Sequence, residues 1–517
     1  MSTGCSGCSG PFGHGKRAGS TGPQQRSDLR LWAAQTQAGY NGAVSQSETL
    51  CVRLFELTAA AAEADARLTR LSPAARDALA TLAQQRASGR GLMRGPAPIP
   101  LVLSPVSLPR HELAALGRAA RLLVSALVKV SRELIDRRPE RANLLFHHLS
   151  PLELTALRTR SREGEELLVA RVDWFVDRQN EAKALEVNST IPAMQVYSDA
   201  AAAGWLDAVL ASDPAKAEAL AARNPSNAKW LLDRLLGAAR AAGRGDPSKP
   251  FPEGLEVQIL HREGDPQLTE LQGLVQRLEA RGVHAKTVTP KTIVLDGAPH
   301  RVLYRHLFAR YVEPGTELGA ALLDPHKHGM WNRVNGWLET KGLLAELSAH
   351  VDSCAGAGRS PLLTQEELAC VREVLPWTRL LDDATAERLG DGDQIVLKRS
   401  HDYGGKSVVI GREAGPAAFA KSVELARKEP PGTWVAQQLV DAPASERWFC
   451  GHWPDGSRSA QRTALHLDLS TYASLLPGAE DGGSVVRAAP GLVVNIVGGG
   501  GVAPLFADDV LEAALAD

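Results

Sequence analysis

The sequence predicts a mixed α/β (α+β) fold spread over more than one domain. Three stretches carry that expectation. Residues 110–137 place Leu113, Leu116, Leu122, Leu123, Leu127 and Val130 on one face of a long amphipathic helix. Residues 254–304 run strand, helix, strand, which is the rhythm of a β-α-β unit and hence of a small parallel layer. From residue 394 onward β-rich segments dominate, at 394–398, 407–410, 433–440 and 491–496.

Taken in order, residues 1–27 are rich in Gly, Ser, Pro and Gln and are expected to be a disordered tail. Residues 28–95 read as a helical N-terminal segment, because Leu54, Leu57, Ala61, Ala64, Leu68 and Leu71 recur at steps of three and four. Ser72-Pro73 starts a new helix there, with serine as cap and proline in the first turn. Gly95-Pro-Ala-Pro-Ile-Pro100 is a break. Residues 167–176 and 184–187 read as the two strands of a hairpin with charged groups on one side. Within 254–304 the expected elements are a strand at 255–260, a helix at 268–278, and strands at 283–288, 293–295 and 302–304. Residues 329–350 read as helical, and Thr364 with Glu367 forms a capping-box pattern for the next helix. The domain boundaries this implies are 1–27, 28–95, 96–250, 251–328 and 329–517.

A chain of 517 residues exceeds what one hydrophobic core organises. Its 44% hydrophobic content is ordinary for a globular protein, and a net charge of −1 argues against nucleic acid or an acidic membrane as partner. No apolar run approaches the ~20 residues a bilayer span requires. Lys16-Arg17 is not followed by the apolar stretch of a secretory signal. The six cysteines, at 5, 8, 51, 354, 370 and 450, are scattered as in a cytoplasmic protein with reduced thiols. Cys5 and Cys8 form one C-x-x-C; even with His14 they fall short of a four-ligand zinc site.

Four constellations carry chemistry. Glu186-x-Asn188 ends a strand, so alternation puts a carboxylate and an amide oxygen on one face, as hard ligands for magnesium. In isolation the same triplet fits a solvated strand edge. Lys398 closes a β-rich run before Gly404, Gly405 and Lys406; the glycines let backbone N–H groups approach phosphates while the lysines bring charge. Asp402 in that loop reaches metal held between phosphates. Trp434–Val440 is a strand, with Gln437 and Gln438, whose backbone suits an adenine edge. Residues 482–501 hold Arg487, a planar guanidinium suited to phosphoryl or tetrahedral-intermediate charge, followed by a glycine run.

The order of these segments resembles a known family. Arg171-x-Asp173, then Glu186-x-Asn188, a β-α-β unit ending in Val302-Leu-Tyr-Arg305, Thr340-Lys341, Lys398 with its glycine hairpin, a hinge strand and a glycine-rich end are similar in sequence order to the circularly permuted ATP-grasp fold of eukaryotic-type glutathione synthetase and its bacterial relatives. The resemblance covers roughly residues 100–505 and implies an inserted small parallel α/β substrate domain and ATP and magnesium as cofactors. It implies that Glu186, Asn188 and Asp402 hold magnesium, Asp402 standing where the family has glutamate. It implies that Lys341 and Lys398 contact ATP phosphates under Gly404-Gly405, and that Gln437 and Gln438 sit at the adenine hinge. Arg171 would meet the acceptor with Asp173 beside it. Arg305 stands one position off the family's Tyr-Phe-Arg spacing.

Where the family follows E-x-N with small hydroxyl residues, this chain soon has Ile191, Pro192 and Ala193, which points away from γ-glutamylcysteine as substrate. The implied activity is an ATP-dependent carboxylate–amine ligase working through an acylphosphate on small-molecule or peptide substrates. A kinase or partner-dependent peptide-modifying enzyme, and a nucleotide-binding protein without catalysis, stay open as alternatives, as does a homodimer.

Overall fold

The hairpin read at 167–187 is the edge of the largest sheet. In the computed structural model, which describes residues 58–160, 167–246, 248–402, 404–450 and 459–516, its strands are Ala170–Val176 and Ala182–Asn188. Asp177 explains the turn: its carboxylate accepts from the N–H groups of Gln179 and Glu181, both at 2.9 Å, with Asn180 at φ 61°. The sheet continues antiparallel through the long strand Gln461–Ala473, then Ser484–Ala489 and Gly501–Ala503, with Ser445–Phe449 on the free half of the long strand. The helix Arg110–Arg137 spans the range its periodicity predicted and packs its leucines against the long strand.

A second sheet is also antiparallel, in the order Thr378–Leu380, Trp434–Gln438, Ile395–Arg399, Val408–Ile410. Leu397, Ala436 and Phe419 of the helix Pro416–Ala426 bury beneath it. The third sheet is parallel throughout: His284–Val288, Glu256–His261, Arg301–His306 and Met330–Trp331. The helix Leu268–Glu279 makes the expected crossover, burying Leu271, Leu274 and Leu278. Each such leucine contributes about 1.5–3 kcal/mol of apolar burial.

Local signals were obeyed where backbone chemistry is local. Ser72 accepts from the Ala75 N–H ahead of the helix Pro73–Gly89. Thr364 and Glu367 complete both halves of the capping box. Three expectations are corrected. Residues 293–295 are not a strand; the Val294 N–H donates to the Gln258 side chain at 3.0 Å instead of to a ladder. Residues 329–335 are not helical, because Gly329 at φ 61° turns the chain into a short edge strand; a 3-10 turn at Gly336–Glu339 then precedes the α-helix that begins at Lys341. Residues 491–496 form no strand; this β-branched run has no ladder neighbour and lies on the glycine hairpin at 404–405. The expectations for the 1–27 tail, for Cys5, Cys8, His14 and Cys51, and for Leu54 and Leu57 lie outside the described residues. Among the described residues, no helix is long and apolar enough to cross a membrane.

Candidate active site

Strand register assembles a charged face on the largest sheet. Arg171 lies opposite Asn188 and Tyr472, Asp173 opposite Glu186 and Ser470, and Asp468 opposite Arg487. Asp173 is 1% exposed and receives both guanidiniums: Arg171 at 2.7 and 3.0 Å, and Arg487 at 2.7 Å. Burial pushes its carboxyl upward, but the two cations outweigh that and hold it well below the usual carboxylate range. The same Arg487 also donates to Asp468 at 2.7 Å. Burial, with Asp173 repelling it, pushes Asp468 up to about 6 although Arg487 and Ser470 favour its ionised form. Arg171 donates its remaining edge to the Ala193 carbonyl at 3.3 Å.

The second sheet supplies cations. Lys398 Nζ donates to Gln437 Oε1 at 2.7 Å and to the Leu185 carbonyl at 3.4 Å, and has no ion-pair partner among the described residues. Burial pushes it down to about 8, helped by Lys341 and opposed by Glu186. Gln437 is itself buried and donates to Thr378 Oγ1 at 3.1 Å. Its side chain therefore holds Lys398 in place, and both Gln437 and Gln438 line the cavity, Gln438 exposed at the strand end.

Lys341 joins the two sheets. Its backbone N–H donates to the Ser400 carbonyl at 2.8 Å, and the Gly342 N–H to Ser400 Oγ at 2.9 Å, which anchors the helix Lys341–Ser353 to the end of the Lys398 strand. From there Lys341 Nζ reaches Glu186 Oε2 at 3.1 Å and the Asp402 carbonyl at 2.8 Å. Burial raises Glu186, yet the neighbouring lysines bring it below its ordinary value. Asn188 donates its amide nitrogen to Asp173 at 3.1 Å, which leaves its amide oxygen as the free acceptor. The Asp402 carboxylate accepts from the Ser407 hydroxyl.

The glycine hairpin closes this region. Gly404 and Gly405 have φ of 71° and 73°, a region side chains resist, and a Cβ on Gly405 would sit 2.3 Å from Val493 Cγ1. Asn495 Nδ2 donates to the Gly404 carbonyl at 2.9 Å, so the 491–500 loop rests directly on the hairpin.

These groups enclose one cavity of about 400 Å³. Arg171, Asp173, Glu186, Asn188, Lys341, Lys398, Asp402, Gly404, Gly405, Lys406, Gln437, Gln438 and Arg487 all line it. Val396, Ile410, Leu439 and Leu492 form an apolar wall on one side. Arg305 does not line it. It is 1% exposed, and its guanidinium is taken up by the carbonyls of Asn332 and Arg333, both at 2.7 Å, and of Leu307. It is a clamp on the 331–333 turn, so its expected substrate contact is withdrawn.

Two cavity residues escaped the sequence reading. Asp468 lies on a strand that was not read, although the alternation of Leu467, Leu469 and Thr471 with Asp468 and Ser470 marks it. Glu339 accepts from the N–H groups of Ser189 and Thr190 at 2.8 and 2.6 Å, fixing the chain just past Asn188. It stands two residues before Lys341, but no local pattern distinguishes it.

No protein-family model matches the chain. A protein of Frankia casuarinae named "Putative glutamate--cysteine ligase 2-2" is 28% identical over 286 residues, which is 52% of this chain and 30% of that protein, so the chain spans under a third of that curated relative's length. Among solved structures, a glutathione synthetase-like effector from Globodera pallida, in its apo form, superposes with a TM-score of 0.52 at 12% identity, over 85% of this chain and 98% of its own. A gamma-glutamylcysteine synthetase described as putative, from Methylobacillus flagellatus, gives 0.30 at 10% identity over 71% of this chain and 83% of its own. The mixed α/β fold of this chain is thus like that of the Globodera effector.

Proposed function

We propose that the protein is an ATP- and magnesium-dependent carboxylate–amine ligase built on a circularly permuted ATP-grasp frame. The observation that carries this reading is Lys341, whose ammonium bridges Glu186 and the Asp402 carbonyl and so ties the acidic strand end to the glycine hairpin at one cavity. The name of the Frankia relative, a glutamate–cysteine ligase, is that of an amide-forming enzyme and supports the same class.

The donor set fits a hard divalent cation. Two carboxylates and an amide oxygen are the ligands magnesium accepts, and it normally completes its shell with water and phosphate oxygens. Glu186, Asn188 and Asp402 would hold it. When bound it would supply positive charge to offset that of the phosphate oxygens.

The remaining chemistry belongs to the chain. Lys341, Lys398 and Lys406 bind the polyphosphate, and the backbone N–H groups of 404–405 lie over it. The apolar wall of Val396, Ile410, Leu439 and Leu492 takes the base. A carboxylate oxygen of the substrate attacks the terminal phosphorus, and the bond to the bridging oxygen breaks, releasing ADP. The amine nitrogen then attacks the acyl carbon, phosphate leaves, and the amine's proton goes with it. Arg487, fixed by Asp173 and Asp468, faces the negative charge of both steps. Positioning and electrostatics carry the rate, so no protein nucleophile is required.

Phosphate release from ATP should require both magnesium and an added amine, and Glu186→Gln should lower it at least roughly tenfold, the scale of losing even an indirect metal partner. Phosphate release by Glu186→Gln with unaltered rate and magnesium dependence would remove Glu186 from the site. Gly405→Ala tests the hairpin: φ of 73° and the approach to Val493 strain any side chain there. Its ATP affinity, measured by calorimetry, should fall, because the hairpin and the 491–500 loop resting on it must shift to admit the methyl group.

A further inference from the structure

The short hairpin Met93–Arg94 and Ala97–Pro98 comes from a part of the chain that the ligase reading does not use. It is pinned by the Gly95 N–H, which donates to the Pro266 carbonyl at 2.8 Å, and this brings Arg94 to the cavity beside Gln267. The Arg94 side chain is exposed and makes no hydrogen bond or ion pair among the described residues. Tyr197 also lines the cavity, is 2% exposed, and its hydroxyl has no partner. Gln267 accepts from His306 Nε2 at 3.1 Å through its oxygen, which leaves its amide nitrogen to donate. Three donor-bearing side chains therefore line this part of the cavity, and the Tyr197 hydroxyl donates to none of its neighbours. Buried hydroxyls are ordinarily paired, so an unpaired one on a cavity wall marks a place a ligand completes.

The carboxylates near this cluster are already engaged. Asp265 accepts from the Gln267 N–H at 2.9 Å. Glu270 Oε1 accepts from the N–H groups of Met194 and Val196 at 2.6 and 3.4 Å, although its second oxygen is unpartnered. Burial holds Glu270 up at about 7, which reduces the negative charge it presents at neutral pH.

The path from the activated end to this cluster is also defined. Ala193 holds Arg171 through its carbonyl, and four residues on Tyr197 lies next to Arg94. Ile191, Met194, Ile99 and Phe308 also line the cavity.

Resting on the ligase reading, we infer that Arg94, Tyr197 and Gln267 bind a second carboxylate of the substrate acid, and that the substrate is a diacid with an apolar middle. A guanidinium fork with two neutral donors matches the two oxygens of a carboxylate, and Ile99, Ile191, Met194 and Phe308 give the cavity apolar lining for the middle of such a substrate.

Thermal unfolding of the full chain with ADP and magnesium, titrated with adipate, hexanoate or glutamate, tests this. Adipate and hexanoate differ by one carboxylate; glutamate places an ammonium in the middle. Adipate should raise the melting temperature at concentrations roughly tenfold below hexanoate, the scale of one charge-assisted contact, and glutamate should be weaker than adipate. Arg94→Gln should erase the adipate advantage and Tyr197→Phe should reduce it, with the response to ADP and magnesium retained in both. That retained response shows that the variants fold. Hexanoate matching adipate, glutamate exceeding it, an advantage that survives Arg94→Gln, or no response to any acid would each overturn the inference. Absence of a response to ADP and magnesium in the wild type would overturn the ligase reading instead.

Discussion

Lys398→Met is expected to weaken ATP binding roughly 10- to 100-fold, the scale of one hydrogen bond to a charged group, while the apo protein melts no lower than wild type. The two effects have opposite signs for one reason. Lys398 is half-buried without an ion-pair partner among the described residues, and the desolvation of its ammonium brings it from 10.5 down to about 8. Its folded-state value lies below its unfolded one, so the charged form destabilises the fold. That cost is fully present below pH 8 and fades as pH rises from about 8 toward the unfolded value. It amounts to about 3 kcal/mol. Methionine removes it and keeps the length; against this, Gln437 Oε1 loses its partner at about 1–3 kcal/mol. Bound phosphate uses the charge that the empty site finds costly. ATP affinity of the wild type should therefore fall as pH climbs through about 8, and the variant should lack that step. Calorimetric titration between pH 6.5 and 9.5 reads both. A wild-type affinity flat across this range, or a variant that binds ATP as tightly as wild type, takes Lys398 out of the site.

Asp173→Asn is expected to cost about 3–5 kcal/mol of stability, the range for breaking a buried ion pair by removing one partner. Arg171 and Arg487 both converge on this carboxylate, and an amide leaves Arg171 without its anion and Arg487 with Asp468 alone. The native carboxyl is held below its unfolded value. Its contribution is present above the unfolded value, near 4, and is lost as pH falls through the lower folded one. Asp468 runs the other way. Its native value, up at about 6, lies above the unfolded one, so its contribution is present below about 4 and lost as pH rises through 6. Asp468→Asn should accordingly cost far less at pH 7 than Asp173→Asn. Urea unfolding of the two variants at pH 7 measures the difference; equal losses would show that Arg487 does not depend chiefly on Asp173.

The helix at 110–137, the capping box at Thr364 and the parallel crossover at 256–288 were legible in sequence because each is made by residues that follow one another. Hydrophobic period, side-chain caps and turn chemistry act over a few residues. The same holds for the chemistry-bearing residue types: Glu186, Asn188, Lys341, Lys398 and Asp402 were identifiable, and they line one cavity. The loop at 491–496 was not legible. A run of Leu, Val and Ile has strand propensity, but propensity says nothing about whether a neighbouring strand exists to receive its hydrogen bonds. Arg305 looked like a substrate contact because an arginine at a strand end is chemically suited to one. Only the folded chain reveals the carbonyls that occupy it, two from the 331–333 turn and one from Leu307.

By itself, then, the order of residues determined the helices and strands whose pattern is local, and which side chains carry charge suited to phosphate and metal. The tertiary structure alone decided what those charges face: that Gln437 holds Lys398, that Asp173 lies between two guanidiniums, and that Arg94 from an early hairpin reaches the cavity wall. The physical reason is distance along the chain. Helix caps and strand alternation are set by neighbours a few positions away, whereas the partner of a buried charge is set by sheet register and packing between segments hundreds of residues apart, which no local pattern encodes.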